Sequence, residues 1–98
     1  MSNHDLHKHL IVQKRGIAII DLEIVCKSRI AHVYVYWHDV DSGRLYSVAK
    51  VRGNEVDLID FDFHSKEEAI KAANVTFCDT LDEDEASFDD IIRFKIDK

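Results

Sequence analysis

The chain has 98 residues, 46% of them hydrophobic and 33% charged, with a formal net charge of −6. That length supports one hydrophobic core and not two, and the apolar content is that of a folding chain, not a disordered one. The acidic balance argues against direct binding of nucleic acid, whose affinity comes from cations neutralising phosphates, and no run approaches the roughly 18 apolar residues of a membrane span.

Proline is absent, and the three glycines, Gly16, Gly43 and Gly53, each separate two apolar-rich runs and read as turns. Residues 6–14, "LHKHLIVQK", read as a first strand returning through the "KRG" turn; a short helix starting near Asn3, with Leu6 and Leu10 on one side, is the alternative. "IAIIDLEIVC" alternates Ile20, Leu22, Ile24 and Cys26 against Asp21 and Glu23, a strand pattern. In "RIAHVYVYWH", Ala31, Val33, Val35 and Trp37 alternate with His32, Tyr34, Tyr36 and His38. The "DVDSGR" turn then returns the chain as "LYSVAKVR", so an antiparallel hairpin is expected.

In "EVDLIDFDF", Val56 and Leu58 keep one phase and Phe61 and Phe63 the other. A β-bulge at Ile59 and Asp60 is predicted, since an uncorrected slip turns later side chains to the wrong face. It leaves Glu55, Asp57, Asp60 and Asp62 on the solvent side. Ser65 and Glu68 form a capping box that opens a helix over "HSKEEAIKAANVTFCDTL", with Ile70, Ala73, Phe77 and Leu81 at helical spacing. After an acidic connection, "IIRFKI" alternates Ile92, Phe94 and Ile96 against Arg93 and Lys95, which predicts a final strand. The expected fold is therefore a single α+β domain over residues 1–98. An antiparallel sheet of about five strands carries one main helix on one face, followed by the acidic connection and a C-terminal strand.

Chemistry-bearing motifs are few. Cys26 and Cys78 are 52 residues apart and belong to no CxxC pattern, so two reduced, buried thiols are expected in preference to a disulfide. The N-terminus "MSNHDLHKHL" lacks the basic-then-apolar order of a secretion signal, which places the protein in the cytoplasm. The acidic run lacks the Gly and the twelfth-position Glu of an EF-hand loop. His4, His7 and His9 lack the further ligands of a structural zinc site, so no metal is assigned. His64 beside Ser65 is not a nucleophile–base geometry, Ser65 is taken by the cap, and no glycine-rich phosphate loop exists. Neither a catalytic residue nor a cofactor is expected.

Two surfaces stand out. Residues 79–90 hold seven carboxylates, Asp79, Asp82, Glu83, Asp84, Glu85, Asp89 and Asp90, and no Lys or Arg. Residues 1–50 carry a net charge of +2 and residues 51–98 a net charge of −8, so the acidity is regional. Such a run is either a solvated, solubilising loop or a clamp for a basic protein surface, reached by long-range attraction. The second surface is the Tyr34 and Tyr36 face, opposite the expected core. It is either an exposed aromatic anchor, for a partner or for a homodimer seam, or is covered by the N-terminal segment.

In composition the chain is similar to small acidic inhibitor and immunity proteins. That likeness implies a compact α+β protein without catalytic signatures. The expected function is non-catalytic binding that masks or inhibits a protein partner with a basic surface, of the inhibitor, immunity or nucleic-acid-mimic type. The alternative is a nucleic-acid or small-ligand binding module using the Tyr/His sheet face.

Overall fold

The structure, a computed structural model, describes residues 3–59 and 61–81. In chain order it contains helix α1 (Asn3–Arg15), strands β1 (Asp21–Lys27), β2 (His32–Val40), β3 (Gly43–Arg52) and β4 (Glu55–Leu58), and helix α2 (Lys66–Ala73). Helix α2 runs on into a π-helical turn, Asn74–Cys78. The strands form one antiparallel sheet in the order β1-β2-β3-β4. The α+β class is as expected. The described residues hold four strands in place of about five, and two helices in place of one. The expected strand through Ile92, Phe94 and Ile96 lies outside the described residues, as does the acidic connection from Asp82 onward.

The N-terminal segment takes the helical alternative, starting at Asn3, in place of the expected strand. Residues 6–14 are helical, not extended. His7, Ile11 and Arg15, spaced by four, share one side of the helix, a stronger pattern than Leu6 with Leu10. Ile11 and His7 are buried, whereas Leu6 is 39% exposed. The helix ends where Gly16, at φ 80°, donates its N–H to the Val12 carbonyl at 2.8 Å. That left-handed cap favours a residue without a Cβ.

A strand sends successive side chains to opposite faces, and here both faces are buried. Tyr34, Tyr36, Leu22, Ala49, Val51 and Val56 form one apolar cluster with Ile11 of α1. Val33, Val35 and Val48 form a second with Ala69, Ala73 and Leu81. The register of β2 on β3, from His32↔Val51 to Val40↔Gly43, runs without interruption and keeps the two sets apart.

Two buried faces also explain the phase change in "EVDLIDFDF". Val56 and Leu58 belong with the α1-side cluster, and Ile59 and Phe63 with the α2-side cluster. Pairing passes from Ala49↔Leu58 to Tyr46↔Phe63, leaving four residues opposite two. An irregularity therefore falls near the predicted bulge, but an excess of two preserves the faces instead of reversing them. Asp60 lies outside the described residues, and Phe61 is exposed.

The cysteines are the second correction: Cys26 and Cys78 form a disulfide, with their Cα atoms 6.1 Å apart. Alternation alone puts Cys26 on the face of Leu22 and Ile24. The actual pairing passes from Ile24↔Tyr34 to Cys26↔Val33, so Val25 is an extra residue in a β-bulge. Cys26 thereby joins the Val33 side. On the facing element, the π-helical turn puts Cys78 five residues after the buried Ala73, the spacing that a widened turn brings back to one side. Among the described residues no helix is long and apolar enough to cross a membrane.

Candidate functional site

Tyr34 and Tyr36 are 4% and 0% exposed, so the expected outward tyrosine face is corrected. Helix α1 covers it, and its polar side chains meet the hydroxyls. The Tyr34 hydroxyl lies 2.6 Å from His7 Nδ1. Arg15 Nη1 donates to the Tyr36 hydroxyl at 2.8 Å, and its Nη2 donates to both carboxylate oxygens of Asp62 at 3.0 Å. Neither ring is free to stack a base or to seat a second copy of the chain.

The buried polar groups have a consistent protonation state. Burial, and then the neighbouring His32, lower the pKa of His7 below its ordinary value, while burial raises that of Tyr34. With the ring neutral, the 2.6 Å contact is satisfied by the Tyr34 O–H donating to Nδ1. The His7 and His32 ring centroids are 5.0 Å apart, and His32 stacks nearly parallel to Tyr34 at 6.2 Å. Two imidazoles and a phenol packed in this way make a rigid joint between α1 and the sheet. They provide no nucleophile activated by a base.

The three N-terminal histidines diverge. His4 Nε2 lies 3.1 Å from Asp21, His7 faces Tyr34, and His9 is exposed. Among the described residues no group of three or more His, Cys, Asp or Glu is placed to hold a metal ion.

Of the acidic surface, the structure describes Asp79, which is exposed just after the π-helical turn. Asp82, Glu83, Asp84, Glu85, Asp89 and Asp90 lie outside the described residues. The four carboxylates expected to reinforce them do not form a wall. Asp62 is held by Arg15, and Asp60 is outside the described residues. Glu55 and Asp57 are exposed, but they stand in register opposite Arg52 and Lys50. The same matching recurs elsewhere: Lys66 pairs with Glu23 and Arg44 with Asp39. Sequence reasoning missed Arg15 and His7 as the partners of the tyrosines. The signal available was their four-residue spacing through Ile11.

A groove of about 670 Å³ runs along β1, lined by Asn3, His4, Leu22, Ile24, Val25 and Tyr34, among others. Ile24 is 47% exposed there. In comparison with known proteins, the chain matches no family model, no curated protein and no solved structure.

Proposed function

We propose that the chain is a non-catalytic binding protein that masks or inhibits a protein partner with a basic surface. The contact is made by Asp79, Asp82, Glu83, Asp84, Glu85, Asp89 and Asp90. The observation that carries this reading is where the charge is left over. Residues 1–81 hold twelve carboxylates against ten Lys and Arg, whereas residues 82–98 hold seven against three. Within the described residues, Asp62, Glu23, Asp39, Glu55 and Asp57 each face a cation. The excess negative charge is thus concentrated in one run that opens at the exposed Asp79. An excess of negative charge of this kind accelerates and orients encounter with a positive surface.

The alternative, a nucleic-acid or small-ligand module on the tyrosine face, loses its support because α1 occupies that face. The disulfide favours an oxidising setting over the cytoplasm, since such bonds persist where thiols are not kept reduced.

The test is low-salt affinity capture with the native chain and with Asp82→Asn, Glu83→Gln, Asp84→Asn and Glu85→Gln combined. The proposal expects a basic protein that is bound by the first bait and lost from the second. Identical sets of proteins on both baits contradict it.

A further inference from the structure

We infer that the Cys26–Cys78 bond is a redox switch of helix register. A dithiol that approaches along β1 opens the bond, and the π-helical turn Asn74–Cys78 relaxes into a regular continuation of α2, with Phe77 turned onto the sheet in place of Cys78. The inference needs no partner, so it stands or falls separately from the functional proposal.

Three observations point to it. The first is access. Cys26 and Cys78 are both only half-buried, and Cys26 lines the open groove along β1. A disulfide within reach of solvent is open to thiol exchange, whereas one sealed in a core resists it.

The second is that two helical registers compete for one place on the sheet. On a regular helix Ile70, Ala73, Phe77 and Leu81 share one side, and that side is the apolar one of this segment. The chain departs from this register, because the Asp79 N–H bonds to the Asn74 carbonyl, five residues back. The widened turn brings Cys78 to Cys26, while Phe77 stays half-buried with Lys50 Nζ 5.9 Å from its ring centroid. Single π-helical turns inside helices are rare and occur mostly at functional sites. Here the apolar pattern favours the regular register, and the covalent bond holds the widened one.

The third is that the rest of α2 is anchored without the bond. Ser65 caps its first turn, Lys66 pairs with Glu23 of β1, and Ala69 and Ala73 are fully buried against the sheet. Opening the disulfide therefore frees the last turn and leaves the first two in place. Loss of the extra residue from the turn rotates the chain after Cys78, Asp79 first, by up to about 100° around the helix axis.

The chemistry is thiol–disulfide exchange. One thiolate of the dithiol attacks Cys26 Sγ, the S–S bond breaks, and Cys78 leaves as a thiolate that takes up a proton. The second thiol of the reagent then displaces Cys26 from the mixed disulfide. The protein gains two electrons and two protons, and the dithiol becomes a disulfide.

The test is NMR of the isotope-labelled full chain, oxidised and then treated with dithiothreitol in native buffer. On reduction, the coupling across the Asp79 N–H hydrogen bond should move from the Asn74 carbonyl to the Val75 carbonyl. The amides of Val33 and Val35 should stay protected from exchange, and reoxidation should reverse the change. Cys26→Ser with Cys78→Ser should show the Val75 pairing without any reductant; if that variant fails to fold, the reduced native chain decides. Asn74 pairing that persists in the reduced chain overturns the inference, as does a bond that opens only with added denaturant or never forms under air. Loss of Val33 and Val35 protection on reduction overturns it too, and shows the bond to be a structural staple.

Discussion

Cys26 and Cys78 meet because two local irregularities, one in each element, turn them toward each other. The β-bulge at Val25 moves Cys26 to the α2 side of the sheet, and the π-helical turn brings Cys78 round to face it. Neither regular alternation in β1 nor a regular helix after Ala73 places both sulfurs there. The bond ties the edge strand to the last described helical turn across 52 residues of chain.

A closed loop of that length restricts the unfolded chain strongly. Cys26→Ser with Cys78→Ser is expected to lower the unfolding free energy by about 4 kcal/mol on the loop-entropy model. Urea denaturation of the two forms measures it. A loss below about 1 kcal/mol shows that the bond contributes little to the fold.

Arg15 joins α1, β2 and the segment after β4 through Tyr36 and Asp62, with its side chain and that of Asp62 each 21% exposed. Arg15→Ala leaves a mostly buried carboxylate and a buried hydroxyl without a donor. We expect a cost of about 3 kcal/mol, and a coupling between Arg15 and Asp62 of about 1–2 kcal/mol in a double-mutant cycle. Additive effects of the two changes would show that the pair does not act as one unit.

The buried His7 makes stability depend on pH. Its folded pKa lies below the unfolded value of about 6.5, so between the two the unfolded chain binds more protons. Its contribution is complete above about pH 6.5 and is lost as pH falls through the folded pKa. Urea midpoints measured downward from neutral pH should therefore decline, and His7→Gln should flatten the decline. An unchanged slope in that variant shows that other groups set it.

Ala69 and Ala73 are fully buried where α2 meets β2 and β3. Ala73→Leu should cost about 1–3 kcal/mol by overpacking, whereas Val75→Leu, at a 72% exposed position, should be neutral. Thermal unfolding of the two variants separates them, and equal effects would mean that the helix does not approach the sheet closely.

Much of this architecture is written in local patterns. The alternation of Val33 and Val35 with Tyr34 and Tyr36, the two-residue turn at Gly53 and Asn54, and the Ser65 side chain accepting from the Glu68 N–H at 3.1 Å each follow from short-range rules. The disulfide was not legible because it depends on two departures from regular period, one in each partner element. For the tyrosine face the sequence offers exposure and cover by the N-terminal segment alike, for another reason. Its cover is a helix whose inward side is partly polar, with His7 and Arg15 in place of apolar residues, so no strong hydrophobic stripe announces it. The segment "LHKHLIVQK" then fits a strand as readily as a short helix. The acidic run is legible as charge, and its geometry lies beyond the described residues.

The most direct measurement of the central claim is the affinity of the captured basic partner as a function of salt, for the native chain and for the variant neutralised at Asp82, Glu83, Asp84 and Glu85. The account predicts that the native Kd rises at least about tenfold between about 50 and about 300 mM salt, and that the variant binds weakly with a much shallower dependence. Equal affinities and equal slopes for the two proteins would contradict it.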